Sequence, residues 1–571
     1  MFTIEMMGLK TFGSFILIAS LFISRVYIQP KYSLISDCDE TFNYWEPLNL
    51  LVRGFGKQTW EYSPEYSIRS WAFLLPFYFV LYPFKYYGLL NSEQDYFYIT
   101  RGFLGLVSFI FEIGLSKEIG STLSENIGSI WLFLQLFNPG WFHASVELLP
   151  SSFAMILYLG SIKYALRYLS RDCTASFLAS LTFNFVAGIM GWPFVLVLSV
   201  PLVIHYLFTH KIMWTLRTAF DSTVIITVIA SIIFTIDSYF YGKFAPVSWN
   251  ILSYNVINAD QNSGPDIFGV EPWSYYVLNL ILNFPLPVLI FSIMGIANWR
   301  IWPLTVSKLS WLGVFFLQPH KEERFLYPIY GLISLSAAIG FHQFSNIFFG
   351  KMKVFKSIVK VALLLIIALQ SASRILALIF NYTAPITLYS ELYTLGKDDK
   401  VLAQDSFTNV CTGREWYHFP NSFFLPENHR LRFIRSGFDG LLPGDFMEDV
   451  SIFDAVRTLP KGMNSKNIFD EGKLWPVTNC DYFVDISIPT DKSKDALNPS
   501  DMPRNWNKIS CTEFINVDDS KILGRSFYIP STIAKFVAKF SPKYWNKLYG
   551  VNYIDYCVYE KTEIVQDNTS I

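Results

Sequence analysis

The sequence is short of charge. Asp, Glu, Lys and Arg make up 16% of its 571 residues, where a soluble globular protein carries roughly 25%. Neither sign prevails: 45 basic residues face 46 acidic ones, with no basic block. That excludes a typical nucleic-acid binder, which needs a concentrated basic surface. Histidine is scarce at 7 residues and cysteine at 6, and neither shows the paired spacing of a zinc site. There is no Walker loop, dinucleotide fingerprint or Ser/His/Asp triad signature. These absences argue against a nucleotide-driven transporter and against a cytoplasmic nucleotide-sugar enzyme. What the chain has in excess is apolar surface: 52% of it is hydrophobic, and Phe alone contributes 53 residues. Disorder is excluded by the same figures. A soluble globule of this length could not bury so much, so the composition points to a polytopic membrane protein with a sizeable water-soluble part.

Charge-free runs long enough for membrane helices recur from Thr11 to Ser373. The longest, Thr174 to Thr209, suits two passes broken at Gly191-Trp192-Pro193. The first run lacks a small-x-small cleavage site and reads as a retained anchor. Basic clusters at Lys163–Arg171, His210–Arg217, Arg300–Lys308 and Lys351–Lys360 set the cytoplasmic side. The loops 31–69, 237–271 and 318–324 then fall on the other side, with everything after Asn381. Parity is kept if Ile127–Pro150, interrupted by the turn signal Asn138-Pro139-Gly140, does not cross fully. About eleven to twelve helices are expected in residues 1–383. Beyond Thr383 the runs stop, and residues 384–571 read as an extracytoplasmic domain of mixed α+β structure. Its four cysteines, Cys411, Cys480, Cys511 and Cys557, suggest two disulfides with three possible connectivities. Asn381-Tyr382-Thr383 and Asn568-Thr569-Ser570 match the glycosylation acceptor pattern but are poorly placed, one near the membrane and one at the chain end.

Three stretches carry chemistry. Asp37-Cys38-Asp39-Glu40 leads into Tyr44-Trp45-Glu46, putting four carboxylates beside two aromatic rings within ten residues. Crowded carboxylates at a bilayer surface repel one another unless they bind something. Acids accept hydrogen bonds from sugar hydroxyls, rings stack on a sugar's C–H face, and a carboxylate can serve as general base. A solvated acidic loop and an oxygen-ligand cation site are the alternatives. The second stretch, Gln318-Pro319-His320-Lys321-Glu322-Glu323-Arg324-Phe325, packs His, Lys and Arg into five residues, a grip for phosphate. Its alternative is an ordinary charged hairpin. The third, Asp237 to Tyr276, interleaves Trp249, Tyr254 and Trp273 with amides and turn residues. It suits the wall of a ring-shaped polar ligand, or an interfacial aromatic belt. His143 and Glu147 are read as structural before catalytic, and in the stretches Cys411–Pro420 and Gly437–Asp445, which combine turn glycines with aromatics and charges, packing explains the pattern at least as well as binding.

The acidic loop, the Pro-His-Lys-Glu-Glu-Arg-Phe run and Cys411–Pro420 together resemble the family 22 glycosyltransferases. Within that family they are most similar to the fungal dolichyl-phosphate-mannose-dependent α-1,2-mannosyltransferases of asparagine-linked glycosylation. The resemblance runs from Val26 to Tyr559. Many relatives carry His-Pro-Asp-Glu where this chain has Asp37-Cys38-Asp39-Glu40, which keeps the Asp-Glu pair and leaves Asp37 without an implied role. The resemblance implies a GT-C helical membrane domain followed by a lumenal C-terminal domain, in the endoplasmic reticulum membrane with the active site at the lumenal face. It implies inverting transfer of mannose from dolichyl-phosphate-mannose to a dolichyl-pyrophosphate-linked oligosaccharide, in two α-1,2 steps. On this basis Asp39 is expected as the catalytic base, and His320, Lys321 and Arg324 as the donor-phosphate grip. Glu40, Tyr44, Trp45, Glu46, Trp249, Tyr254 and Trp273 are expected to bind acceptor. Three cations against one phosphate leave no need for a metal or cofactor, and none is expected. The partners are the two lipid-linked substrates and the bilayer. A transporter is the competing class, opposed by the scarcity of charge inside the apolar runs, where Arg25 is the main exception.

Overall fold

Apolar runs in hydrocarbon must satisfy their backbone internally, which selects helices. The computed structural model describes residues 2–259, 264–349, 353–398, 407–489 and 494–562; Asn568 and Lys351 lie outside them. Among the described residues, five helices are long and apolar enough to cross a bilayer: Gly13–Tyr32, Gln94–Thr122, Ile212–Tyr241, Glu323–Ile347 and Val354–Tyr382. Ser274–Asn283 and Leu286–Ala297 make a sixth if the pair, bent by 109°, is one span. Other apolar runs fold as shorter helices. The run from Thr174 breaks at Gly191-Trp192, with helix ending at Met190 and resuming in a tighter turn from Pro193. Between Ile127 and Pro150, helix stops at Leu136 and restarts at Pro139, where the Asn138 side chain accepts from the Trp141 amide at 3.1 Å. That Asx cap satisfies an orphan donor and fixes the break.

The chain divides into two compact units. The first comprises Met1–Ser33, Glu65–Val80 and Tyr98–Ile375. Its core holds Trp131, Trp141, Trp311 and Tyr330 among many aliphatic side chains. Helices approach closely where glycine removes the side chain. A Cβ at Gly105 would lie 1.9 Å from the Arg25 carbonyl oxygen, and one at Gly340 would lie 2.0 Å from that of Phe291. At the Gly105 crossing, Arg25 is wholly buried and gripped by Glu112 through two hydrogen bonds of 2.8 and 2.9 Å, with a third to the Gln135 carbonyl. The buried charge of Arg25 is therefore a paired internal brace.

The second unit comprises Leu34–Pro64, Leu81–Phe97 and Leu376–Ile571. Its strands are β1 (Lys57–Gln58), β2 (Thr408–Thr412), β3 (His429–Phe433), β4 (Gly444–Asp445), β5 (Tyr482–Ile486), β6 (Trp506–Ile515) and β7 (Tyr553–Lys561). β1 pairs with β4, which ties the acidic N-terminal segment into this unit. The other five form a mixed sheet in the order β3-β2-β5-β7-β6, parallel from β3 to β5 and antiparallel from β5 to β6. Cys411 on β2 bonds Cys480, and Cys511 bonds the directly opposite Cys557. Of the three connectivities open to the sequence, strand register selects this one. The loops closed span 69 and 46 residues, worth about 4 kcal/mol each in the chain-entropy account.

Candidate active site

The acidic segment folds as one helical run. Asp37 is extended and its side chain accepts from the Asp39 amide at 2.9 Å, capping a helix that starts at Cys38. Asp37 thus has a structural task that the sequence left open. Asp39 sits in the first turn, half-buried. Asp37, Cys38 and Asp39 each offer one ligand atom, all within 4.8 Å of one another.

The rest of the segment turns inward. Glu40, Tyr44, Trp45 and Glu46 are essentially fully buried. Glu40 accepts from the Trp45 indole at 2.8 Å, and Trp45 packs on Phe97 at 4.7 Å between centroids. Glu46 accepts from the Lys57 amide at 2.7 Å, the Ser422 amide at 2.6 Å and the Ser422 hydroxyl at 2.9 Å. Burial pushes its pKa up, although these bonds and Lys57 pull the other way. Glu40 and Glu46 thus hold partners within the protein, and the rings of Tyr44 and Trp45 are buried. Thr41 donates to the Phe419 and Pro420 carbonyls, and Phe42 lies against Trp416 and Phe419. The acidic segment and Cys411–Pro420 are therefore one packed substructure.

The His320 loop belongs to the first unit. Both His320 nitrogens have acceptors: Nδ1 lies 2.7 Å from the Gly269 carbonyl and Nε2 2.8 Å from Glu322. Two acceptors require the imidazolium. Burial opposes that charge, but Glu322 and the Gly269 carbonyl prevail and raise the pKa above its ordinary value. Burial likewise opposes the charge on Glu322. Arg324, which donates Nε–H to it, and His320 outweigh burial and hold the carboxyl well below the usual range. Lys321 is buried, and its ammonium donates to the carbonyls of Glu271, at 2.9 Å, and of Gln318. It braces the loop through these two carbonyls. Glu271 is held beside the loop by its backbone, its amide donating to the Pro319 carbonyl at 3.0 Å.

Of the three aromatic residues expected near acceptor, Trp249 and Trp273 are 58% and 65% exposed and Tyr254 is half-buried. The neighbouring Asn250 amide donates to the Ser67 carbonyl at 3.0 Å. Asp237 is no loop residue. It is buried at the end of the helix Ile212–Tyr241, where it accepts from the Ser70 hydroxyl at 2.9 Å and the Ala72 amide at 3.0 Å, anchoring the start of the helix Trp71–Tyr87.

A second polar cluster was only partly visible in the sequence. Glu323 turns away from its own loop and takes hydrogen bonds from His143 at 2.9 Å and Asn283 at 2.8 Å; Asn283 also reaches the Tyr330 hydroxyl at 3.0 Å. Glu147 accepts from Ser152 at 3.2 Å and Tyr327 at 3.4 Å. His143 and Glu147 are near neighbours in sequence, but Glu323 and Tyr327, which they meet, are each 180 residues away from them, beyond any local signal. In the second unit, a cleft of about 410 Å³ is lined by Arg414, Trp416, Tyr417, Gly437, Phe438, Lys494 and Asp495. It joins the stretches Cys411–Pro420 and Gly437–Asp445. Arg414 is fixed there by Asp485 at 2.9 Å and by the carbonyls of Ile486 and Ile488. Asn381 is not a glycan acceptor in this fold: it is buried, accepting from the Tyr553 hydroxyl at 2.9 Å.

Comparison with known proteins bears on these features together. Residues 17–426 match the Alg9-like mannosyltransferase family. The chain is 60% identical over 545 residues to the α-1,2-mannosyltransferase ALG9 of Saccharomyces cerevisiae, covering 95% of this chain and 97% of that one. It is 33% identical over 527 residues to human α-1,2-mannosyltransferase ALG9, covering 87% and 83%. Among solved structures it is similar to ArnT from Cupriavidus metallidurans bound to undecaprenyl phosphate, with a TM-score of 0.50 at 12% identity, over 75% of this chain and 86% of that one. At that identity the likeness speaks to fold alone, a fold of the GT-C type. With helices long and apolar enough to span a membrane, 60% identity to a relative over 95% of the chain and a family match over nearly three quarters of its length, the chain belongs to the Alg9-like mannosyltransferase family.

Proposed function

We propose that this protein is an α-1,2-mannosyltransferase of N-glycan precursor assembly, using dolichyl-phosphate-mannose as donor and a dolichyl-pyrophosphate-linked oligosaccharide as acceptor. The observation that carries this reading is the end-to-end likeness to the Saccharomyces cerevisiae α-1,2-mannosyltransferase. It acts at the lumenal face of the endoplasmic reticulum membrane, in two steps on different branches. The two disulfides support an oxidising compartment for the second unit.

In each step an acceptor 2-hydroxyl oxygen attacks the anomeric carbon of the mannosyl group. The bond from that carbon to the phosphate oxygen breaks, dolichyl phosphate leaves, and the β donor gives an α product. Asp39 takes the hydroxyl proton. Its support is its station in a capped first turn, with the neighbouring Asp37 committed to the cap. Arg324 neutralises the departing phosphate, its planar fork oriented by Glu322. His320, held as imidazolium, adds a second positive charge. Trp249, Tyr254 and Trp273 are retained as acceptor contacts, and the division into a membrane domain 1–383 and a lumenal domain 384–571 as the working topology. The reaction proceeds without metal or cofactor. Purified protein incubated with dolichyl-phosphate-mannose and defined truncated lipid-linked acceptors should yield an α-1,2-linked mannose product; its absence with a correctly folded, donor-bound protein would reject the reading.

A further inference from the structure

The stretch Ser531–Leu548 carries a pattern that the reaction does not use. It folds as two short helices, Ser531–Phe540 and Pro542–Leu548, with no buried residue in either. In the first, Ile533, Phe536, Val537 and Phe540 fall at i, i+3, i+4 and i+7, which is one face of a helix. All four are exposed, Phe536 by 63% and Phe540 by 74%, and beyond the break at Ser541 the large apolar side chains Tyr544 and Leu548 are exposed too. Lys535, Lys539, Lys543 and Lys547 are also exposed, and no acidic residue interrupts the stretch. A run of large apolar side chains left to water is costly in a soluble domain.

Its place in the fold says what covers it. The chain entering these helices packs on the last turn of the spanning helix Val354–Tyr382. Phe380 and Tyr528 lie 4.9 Å apart between centroids, and Asn381 donates to the Arg525 carbonyl at 3.4 Å while accepting from Tyr553. The helix pair therefore follows a segment packed on the end of a helix long and apolar enough to cross a bilayer. An apolar face flanked by lysines is the design of a helix lying in the bilayer surface. Rings and aliphatic side chains enter the acyl boundary, and ammonium groups meet anionic headgroups.

We propose that Ser531–Leu548 is an in-plane membrane anchor that seats the C-terminal unit on the bilayer the chain spans, with a preference for anionic lipid. This inference does not depend on the sugar chemistry.

The test uses the full-length protein in lipid nanodiscs. In a Cys38→Ser, Cys173→Ser background, a polarity-sensitive fluorophore is attached at Phe540→Cys or at Lys539→Cys, both exposed positions. With the apolar face in the acyl boundary, the probe at 540 emits blue-shifted light and loses most of its emission when the lipids carry brominated acyl chains. The probe at 539 keeps its emission. Replacing the other three lysines by Gln should weaken the quenching at 540 in membranes with anionic lipid and leave it unchanged in neutral ones. Equal quenching at 539 and 540, or none at 540, overturns the proposal. A blue shift at 540 without bromolipid quenching also overturns it, and would assign the face to a protein partner. A lysine triple variant that quenches as wild type in anionic membranes overturns the lipid preference.

Discussion

Replacing Glu46 by Ala separates a brace from a substrate contact. The carboxylate is fully buried and accepts three hydrogen bonds, two of them from the backbone amides of Lys57 and Ser422. Alanine leaves both amides buried without an acceptor, at about 1–3 kcal/mol each. Relief of burying the carboxylate offsets part of that, so a net loss of about 3 kcal/mol is the working figure. For a domain of 150–250 residues, 1 kcal/mol moves the midpoint by about 2–4 °C, so the unit should melt roughly 6–12 °C lower. The loss should be local in cause: the segment around β1 comes away from Ser422, and with it the pairing of β1 and β4. Differential scanning fluorimetry of the purified protein reads the shift, and transfer kinetics with saturating acceptor read the function of what remains folded. A brace gives a lower midpoint with an unchanged KM for acceptor at low temperature. A midpoint within 2 °C of wild type, together with a tenfold rise in acceptor KM, would refute this reasoning and return Glu46 to the acceptor site.

Asp39→Asn should lower kcat by at least about 100-fold, the low end for losing a general base, with the melting midpoint and donor binding unchanged. Single-turnover product formation checks this, and a retained rate would acquit Asp39. Arg324→Ala should raise the KM for dolichyl-phosphate-mannose more than that for acceptor, while Lys321→Ala should chiefly lower the midpoint, since its ammonium serves loop carbonyls. His320 has a folded pKa above its ordinary value, which is about 6.5. Its contribution to stability is therefore full below that ordinary value and is lost as pH rises through the raised one; the midpoint gap between wild type and His320→Gln should narrow over that window in a pH series. Turnover should persist in EDTA. Loss restored by manganese or magnesium would instead assign Asp37, Cys38 and Asp39 to coordination.

Much of the architecture is dictated by composition and local pattern. Long charge-free runs have no choice but helix in hydrocarbon, and the last described helix long and apolar enough to cross a bilayer ends at Tyr382. Breaks at Gly191-Trp192-Pro193 and at Asn138-Pro139-Gly140 were legible because proline and an Asx cap act within a few residues. So was the grouping of His320, Glu322 and Arg324, which are neighbours in sequence and in space. Tertiary structure decided what those local rules cannot reach. Periodicity does not say that Glu46 points at Ser422, 376 residues away, so its internal hydrogen bonds could not be read from the acidic segment alone. Nothing near Lys321 reveals that the Glu271 carbonyl would claim its charge. Which cysteines pair depended on β6 lying antiparallel to β7 with Cys511 opposite Cys557. Local sequence sets which groups are available and how the backbone must satisfy itself; long-range packing alone sets which of those groups face one another, and therefore which remain to meet a substrate.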